Sequence, residues 1–505
     1  MAKRNTARGA REAGPASKTD KISKKQARAF AALAREGLDV RREGAIYRVR
    51  RREPRERGAP VAEVLLPEGF RLEAKALRQL ASLAGARHPV GGHACRVCAS
   101  PDFHPGDSGV AIGSIVETHG MVIPGAVGSD INCGMRMHVV DVPVDKLLAR
   151  RDEFVALMKG DYFFGTRDLP MSVGAMTAMF RGGIPAWLAA ARAAPRGRGR
   201  AIDYAQLERE LARVHLGGCL QGHERWAPQD LLEGELIRDG GLATIGGGNH
   251  FVELQVVEEV LDRRRAYALG VRAGQLAFMI HSGSRGVGKH IGAVWRDRAR
   301  GAWPTGLKHP EGGLYPLSLT HDERALHGYL EAEATAANYG FVNRLLLAEL
   351  LRLRLRELFR MPELEAPLVY DLPHNITLPS PGASERWITR KGACPAGREQ
   401  PVIIPGSMGA SSFLLVGHGS DRLLASASHG AGRARSRFSM GRRGAKKDED
   451  ALGLAGVDCI TLRAERRIEE APAAYKPIGP VVDCQVEAGV ASVVARMRPI
   501  MTFKA

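Results

Sequence analysis

Apolar residues recur along the chain at two spacings. In the run 26–38, QARAFAALAREGL, they follow the three-to-four residue period of a helix, and Gly37 marks its stop. The same period predicts helices over 205–215 and, at greater length, over 322–359, where Ala and Leu alternate with Glu and Arg. Short apolar or alternating runs predict strands at 45–49 and 61–66 around an Arg/Glu-rich turn. Three more apolar runs, 251–257, 276–280 and 367–370, read as strands feeding polar, glycine-rich loops. The stretches 194–200 and 439–450 are Gly- and charge-rich and predict loops. Residues 1–25 have no apolar period and predict a disordered arm. No fixed-period repeat runs through the chain.

Composition narrows this mixed pattern. The 505 residues are 44% hydrophobic, enough for a sizeable core, which excludes wholesale disorder. No apolar run approaches the ~18 residues of a membrane span, and the basic N-terminus lacks the apolar stretch of a secretory signal. Seven cysteines are too few, and odd in number, for a disulfide framework, so a reduced cytoplasm is expected. Lys and Arg number 73 against 55 Asp and Glu, a net +18 that favours nucleic acid, nucleotides or an anionic membrane surface. Residues 1–60 alone hold 18 basic and 7 acidic side chains, so +11 of the excess is terminal and the other 445 residues are only mildly basic. A solubilising tail and an RNA-binding arm both fit that distribution.

The 59 glycines cluster at 241–248, 283–288, 406–409, 417–419 and 430–432, each group beside His, Asn, Ser or Arg. Such loops suit phosphate cradles as well as tight turns. Asp130 and Cys133 stand three apart in SDINCG, His250 follows GGGN, His281 follows an apolar run, and His374 follows another. Singly, each histidine reads as a hydrogen-bonded structural residue. Together the five offer a mixed O, N and S set sufficient for two divalent ions if one donor bridges. That set tolerates Mn²⁺, Zn²⁺, Fe²⁺ or Co²⁺, and donor softness alone favours zinc over manganese. His93, Cys95, Cys98 and His104 resemble half a zinc ribbon, but no second CxxC follows at ribbon spacing, and a surface loop with ordinary thiols is expected. His429, between Ser428 and a Gly-Ala-Gly-Arg turn, fits either a turn histidine or an imidazole nucleophile beside a phosphate held by Arg433.

These segments, in this order, resemble the RtcB family of GTP-dependent RNA-splicing ligases. The strings are PDFHPG (101–106), SDINCGMR (129–136), GGGNHFVE (246–253), IHSGSRGVG (280–288), HN (374–375) and RKGA (390–393). They continue with VIIPGSMGASSFLLVG (402–417), SHGAGRARSR (428–437), EAPAAYKPI (470–478) and Lys504. The resemblance implies an enzyme that joins an RNA 3′-phosphate or 2′,3′-cyclic phosphate to a 5′-hydroxyl, in tRNA splicing or RNA repair, using GTP and two Mn²⁺. It implies Asp130, Cys133, His250, His281 and His374 as metal ligands with the Cys133 thiolate bridging, and His429 as the residue guanylylated by GTP. It further implies that Asn249 contacts the GMP phosphate, and that Glu253, Ser412, Tyr475 and Lys504 read guanine with Ser407 in the same pocket. RNA, GTP and an activating protein such as archease are the partners it implies, with no membrane. A glutamate accepting from guanine N1–H and N2–H₂ makes a GTP preference physically sensible, because adenine offers no such pair.

Three features depart from the family pattern: Ser428 where many members have Cys, GGGNH where GSGNH is commoner, and the added basic arm. None removes a ligand or the nucleophile. Two other readings stay open on residues alone, a metal-dependent RNA-end phosphoesterase and a non-catalytic RNA-binding protein. The expected architecture is α+β: a basic arm at 1–25, a helix and strand segment at 26–60, and one large catalytic domain at 61–505. One domain is expected because ligands spread from Asp130 to His374, and nucleotide residues reaching Lys504, must meet at one site.

Overall fold

The computed structural model describes residues 24–52, 58–441 and 449–505. Residues 1–23, most of the expected arm, lie outside the described residues, as do 53–57 and the centre of the 439–450 stretch, 442–448.

Along the chain, helix α1 (Lys24–Arg35) leads into strands β1 (Leu38–Glu43), β2 (Ile46–Arg51) and β3 (Ala62–Leu65), then helix α2 (Ala74–Ala84). Strands β4 (His93–His104), β5 (Ile112–His119) and β6 (Gly134–Val140) follow, then helix α3 (Val173–Ala193), broken at Gly182 and Gly183. Next come β7 (Phe251–Val260), β8 (Leu276–Ser282), α4 (Arg285–Gly301) and the 37-residue α5 (Glu323–Phe359). Strands β9 (Leu368–Pro373), β10 (Asn375–Pro379), β11 (Arg386–Lys391), β12 (Ala393–Pro395), β13 (Pro401–Ile404), β14 (Ser412–Gly417) and β15 (Ser426–Ser428) succeed one another. The chain closes with β16 (Cys459–Thr461) and the long β17 (Ala491–Lys504).

Two large sheets result. One runs β1-β2-β3-β4-β5-β11-β10, and the other β9-β6-β8-β7-β17-β14-β13 with β16 beside β17. Strand β8 shows why its sequence is apolar without alternation: Leu276, Phe278 and Ile280 face one buried cluster, while Ala277 and Met279 face another. The first cluster lies under α3, α4 and α5, and the second lies between the two sheets, where Cys98 and Ile115 meet Met137 and Met279. A strand covered on both faces has no polar side to alternate with. On the far face of the first sheet, Val97 and Val116 pack with Leu33 of α1 and Leu77 and Leu80 of α2. The fold is thus α+β in four layers, helices, sheet, sheet, helices, as expected for the class. No helix among the described residues is long and apolar enough to cross a membrane.

Three expectations are corrected. The 93–104 segment is not a surface loop: it forms β4, and Cys98 is buried between the sheets because β4 lies inside its sheet between β3 and β5. The glycine loop after His281 is short, since Arg285 already starts α4, and the 205–215 run is helical only over Tyr204–Glu210 before tightening into 3₁₀ turns.

Candidate active site

The antiparallel order β9-β6-β8-β7 decides where the chemistry gathers. Cys133 precedes the start of β6, His281 lies near the end of β8, His250 precedes β7 and His374 follows β9. Neighbouring strands run in opposite senses, so these starts and ends fall on one edge of the sheet. The register confirms it: His281 pairs with Met135 and with Phe251, and Gly134 pairs with Pro373.

The donors converge. Cys133 Sγ lies 3.2 Å from both His250 Nε2 and His281 Nε2, His250 Nε2 is 2.9 Å from Asp130 Oδ2, and His281 Nε2 is 3.2 Å from His374 Nε2. They form two three-donor sets, Asp130–Cys133–His250 and Cys133–His281–His374, sharing the thiol. The three imidazoles turn Nε2 inward, and their Nδ1 atoms have no hydrogen-bond partner among the described residues. Burial, reinforced by neighbouring histidines, holds His281 and His374 well below the usual imidazole range, so their lone pairs are free. Burial opposes ionisation of Asp130, but His250 more than offsets it and its carboxyl sits below the usual range. Burial and then Asp130 push the Cys133 thiol well up. Three imidazole nitrogens converging beside a carboxylate and a thiol fit a divalent cation that would make the thiol a thiolate ligand.

His429 follows β15, which pairs with β12, and its ring lies 4.7 Å from that of His374. Its Nδ1 is 2.6 Å from Asp102 Oδ2, and its backbone N–H donates to the same oxygen at 3.2 Å. Ser100 Oγ donates to the other oxygen of Asp102, which is fully buried in β4. Burial alone would raise the Asp102 carboxyl, but His429 outweighs it and the group stays below its ordinary value. The approach needs Gly432: a Cβ there would stand 2.1 Å from the Asp102 carbonyl. Asp102 therefore fixes one imidazole nitrogen and leaves Nε2 as the free one.

A cleft of about 720 Å³ holds this arrangement, lined by Asp130, Cys133, Asn249, His281, His374, Ser407, His429, Tyr475 and Lys504. His250 completes the donor set behind it. Glu253 and Ser412 lie buried deeper, joined by Gln255, whose Nε2 donates to Glu253 Oε1 at 2.7 Å and to Ser412 Oγ at 2.9 Å. Thr502, opposite Glu253 across β7 and β17, donates to Oε2 at 2.5 Å. Burial, partly offset by Thr502, Gln255 and Lys504, pushes the Glu253 carboxyl up to about 7. Arg433 does not stand free for a phosphate: Glu470 accepts from it at 2.9 Å, and its guanidinium lies 5.0 Å from the Tyr475 ring centre.

The family model described as tRNA-splicing ligase RtcB matches residues 79–505. This chain belongs to the RtcB family. Among RtcB relatives, the tRNA-splicing ligase RtcB of Thermococcus kodakarensis is 32% identical over 436 residues, covering 80% of this chain and 86% of the relative. The tRNA-splicing ligase RtcB of Pyrobaculum aerophilum is 31% identical over 445 residues, covering 80% and 86%. The RNA-splicing ligase RtcB of Mycobacterium tuberculosis is 32% identical over 442 residues, covering 80% and 96%.

Within this RtcB chain, sequence reading assigned no role to Asp102, Gln255, Thr502 or Glu470. Asp102 stood in the quoted PDFHPG string, but 327 positions separate it from His429 and no spacing links them. A third donor set among the described residues, His88, His321 and Asp322, does not line the cleft. There His88 Nδ1 accepts from the Val90 N–H at 3.3 Å, which keeps the proton on Nε2 facing Asp322, 3.5 Å away. His321 Nδ1 lies 2.8 Å from the same carboxylate, so in this set one imidazole is hydrogen-bonded to Asp322 and the other faces it at longer range.

Proposed function

We propose that this protein is a GTP- and Mn²⁺-dependent RNA ligase that joins 3′-phosphate or 2′,3′-cyclic phosphate ends to 5′-hydroxyl ends, in tRNA splicing or RNA repair. The observation that carries the reading is the His429 ring, tied at Nδ1 to buried Asp102 and seated against a shared-thiol, five-donor cluster. Asp130, Cys133 and His250 would hold one metal, and Cys133, His281 and His374 the other. When bound, the two ions supply charge neutralisation for phosphate oxygens and lower the pKa of an attacking hydroxyl.

The chain's own residues carry the rest. Asp102 accepts the Nδ1–H of His429 and leaves the Nε2 lone pair to attack the α-phosphorus of GTP. A P–N bond forms, the bond to the leaving oxygen breaks, and pyrophosphate departs. A 2′,3′-cyclic end is first opened by water to the 3′-phosphate. That phosphate takes GMP from the histidine, breaking the P–N bond. The RNA 5′-hydroxyl then attacks the activated phosphorus, loses its proton and expels GMP. Guanylylation is needed because a bare 3′-phosphate has no good leaving group. Asn249 is assigned to the GMP phosphate. Glu253, Ser412, Tyr475 and Lys504 are assigned to guanine, with Ser407 at the same pocket. We assign catalysis to 61–505, tethering to the basic 1–25 segment, and 26–60 to the helix and strand segment between them. The cytoplasm is the expected location, and an archease-like activator is a partner of the same reading.

Incubation with α-labelled GTP and Mn²⁺ should yield an acid-labile protein–GMP adduct that His429→Ala abolishes. No label on the wild type, or equal label on the variant, would sink the reading. Hydrolysis of cyclic ends without GTP, unaffected by His429→Ala, would support a phosphoesterase instead.

A further inference from the structure

Helix α5 is buried on all sides through its middle, and at its centre Arg344 is fully enclosed. A buried guanidinium demands acceptors for five N–H groups in a fixed planar fork. Arg344 finds them on three separate segments. Nε and Nη2 donate to Asp371 Oδ1 at 3.0 and 2.8 Å. Nη1 donates to the Asn132 carbonyl at 2.6 Å and to the Ser282 carbonyl at 3.1 Å, and Nη2 also reaches Asn132 Oδ1 at 3.1 Å. Asn132 adjoins Cys133, Ser282 adjoins His281, and Asp371 stands three residues before His374.

We propose that Arg344 is the positioning residue of the metal centre, a single rigid fork that sets the places of Cys133, His281 and His374 relative to one another. The proposal rests on the ligase reading for the use of that centre, but its geometry concerns metal binding alone. Asp371 balances the buried charge of Arg344 and also takes Arg136, whose Nη1 donates to Oδ2 at 3.1 Å. The reach to two backbone carbonyls is additional. Asn132 has φ +51°, a left-handed conformation a non-glycine residue keeps only when its surroundings hold it. Arg344 supplies two of those restraints, the Asn132 N–H donates to the Asn375 carbonyl at 2.8 Å, and its Nδ2 donates to Ala337. Gly134 makes room: a Cβ there would lie 2.8 Å from Arg344 Cζ. By contrast Arg354, on the same helix, pairs with Asp161 at 2.6 and 2.8 Å and with Glu357.

Co²⁺ titrated into the metal-free full chain provides the test, read by the thiolate-to-cobalt absorption band and by the number of ions bound. Wild type should bind two Co²⁺ with a band from Cys133. Arg344→Lys keeps the charge but loses the fork, and should weaken binding ~10–100-fold, the usual cost of losing a partner that orients ligands, with a diminished band. Arg354→Met should lower thermal stability yet bind Co²⁺ as wild type does. The proposal fails if Arg344→Lys titrates like wild type, or if Arg354→Met loses as much affinity as Arg344→Lys. Should Arg344→Lys not fold, Asn132→Ala decides: weaker binding supports the clamp and an unchanged titration overturns it. A wild type that binds two Co²⁺ but takes up no GMP would sink the ligase reading and leave this one standing.

Discussion

At the residue scale, the chemistry proposed here turns on one hydrogen bond, between Asp102 and His429. Asn in place of Asp102 offers an N–H or a weaker acceptor where the imidazole Nδ1–H now donates, so the wrong tautomer becomes accessible. Asp102→Asn should therefore slow formation of the labelled GMP adduct by roughly 100-fold or more, as expected on losing the carboxylate that fixes a catalytic imidazole's tautomer. Rapid-quench labelling checks it, and a rate near wild type would remove Asp102 from the mechanism. His429 was visible in the sequence because glycines and an arginine follow it. Asp102 was not, because a lone carboxylate in a strand carries no mark of the partner that folding brings to 2.6 Å.

At the element scale, sheet register builds the pocket proposed for the base. Glu253 on β7 faces Thr502 on β17, and Gln255 bridges from β7 to Ser412 on β14. With its carboxyl pushed up to about 7 by burial, Glu253 takes a proton below that pH, and in the role proposed for it could then not accept both guanine N–H donors. Adduct formation at sub-saturating GTP should rise with pH through about 7, and Glu253→Gln should flatten that rise. The stability sign is opposite. A carboxyl whose folded pKa lies above its ordinary 4.5 binds its proton more tightly when folded, so its contribution is lost as pH rises from about 4.5 towards 7. Urea unfolding across that window should show the slope in wild type and less of it in Glu253→Gln. The long helix was legible at 322–359 from its period and lies at Glu323–Phe359. Helix α4 was hidden because its first turn, Arg285–Gly288, reads as a glycine loop, the composition that lets it pass close to Ser129, whose carbonyl a Cβ at Gly288 would meet at 2.9 Å. Strand β17 was also unmarked, since Arg and Pro interrupt its apolar positions and only its neighbours β7 and β14 make it a strand.

At the scale of the whole molecule, charge and chemistry separate. Residues 1–25 carry eight Lys or Arg against two acids. Each cation that neutralises a phosphate adds about 0.7 to the slope of log affinity against log salt for single strands. Deleting 1–25 should weaken RNA binding at low salt and flatten that slope, while adduct formation stays as in the full chain. Unchanged binding in a filter or anisotropy titration would assign the arm to solubility.

The sequence by itself determined the α+β class, the donor types and the nucleophile candidate, because those follow from local period and from side chains set beside glycines. It also carried the family, through ordered strings spread over most of the chain. Only the tertiary structure decided which donors share a thiol, which imidazole nitrogen is free, and which arginine holds the ligand turns. Those answers depend on contacts between residues up to 327 positions apart, made by an antiparallel strand order that brings starts and ends of different strands to one edge.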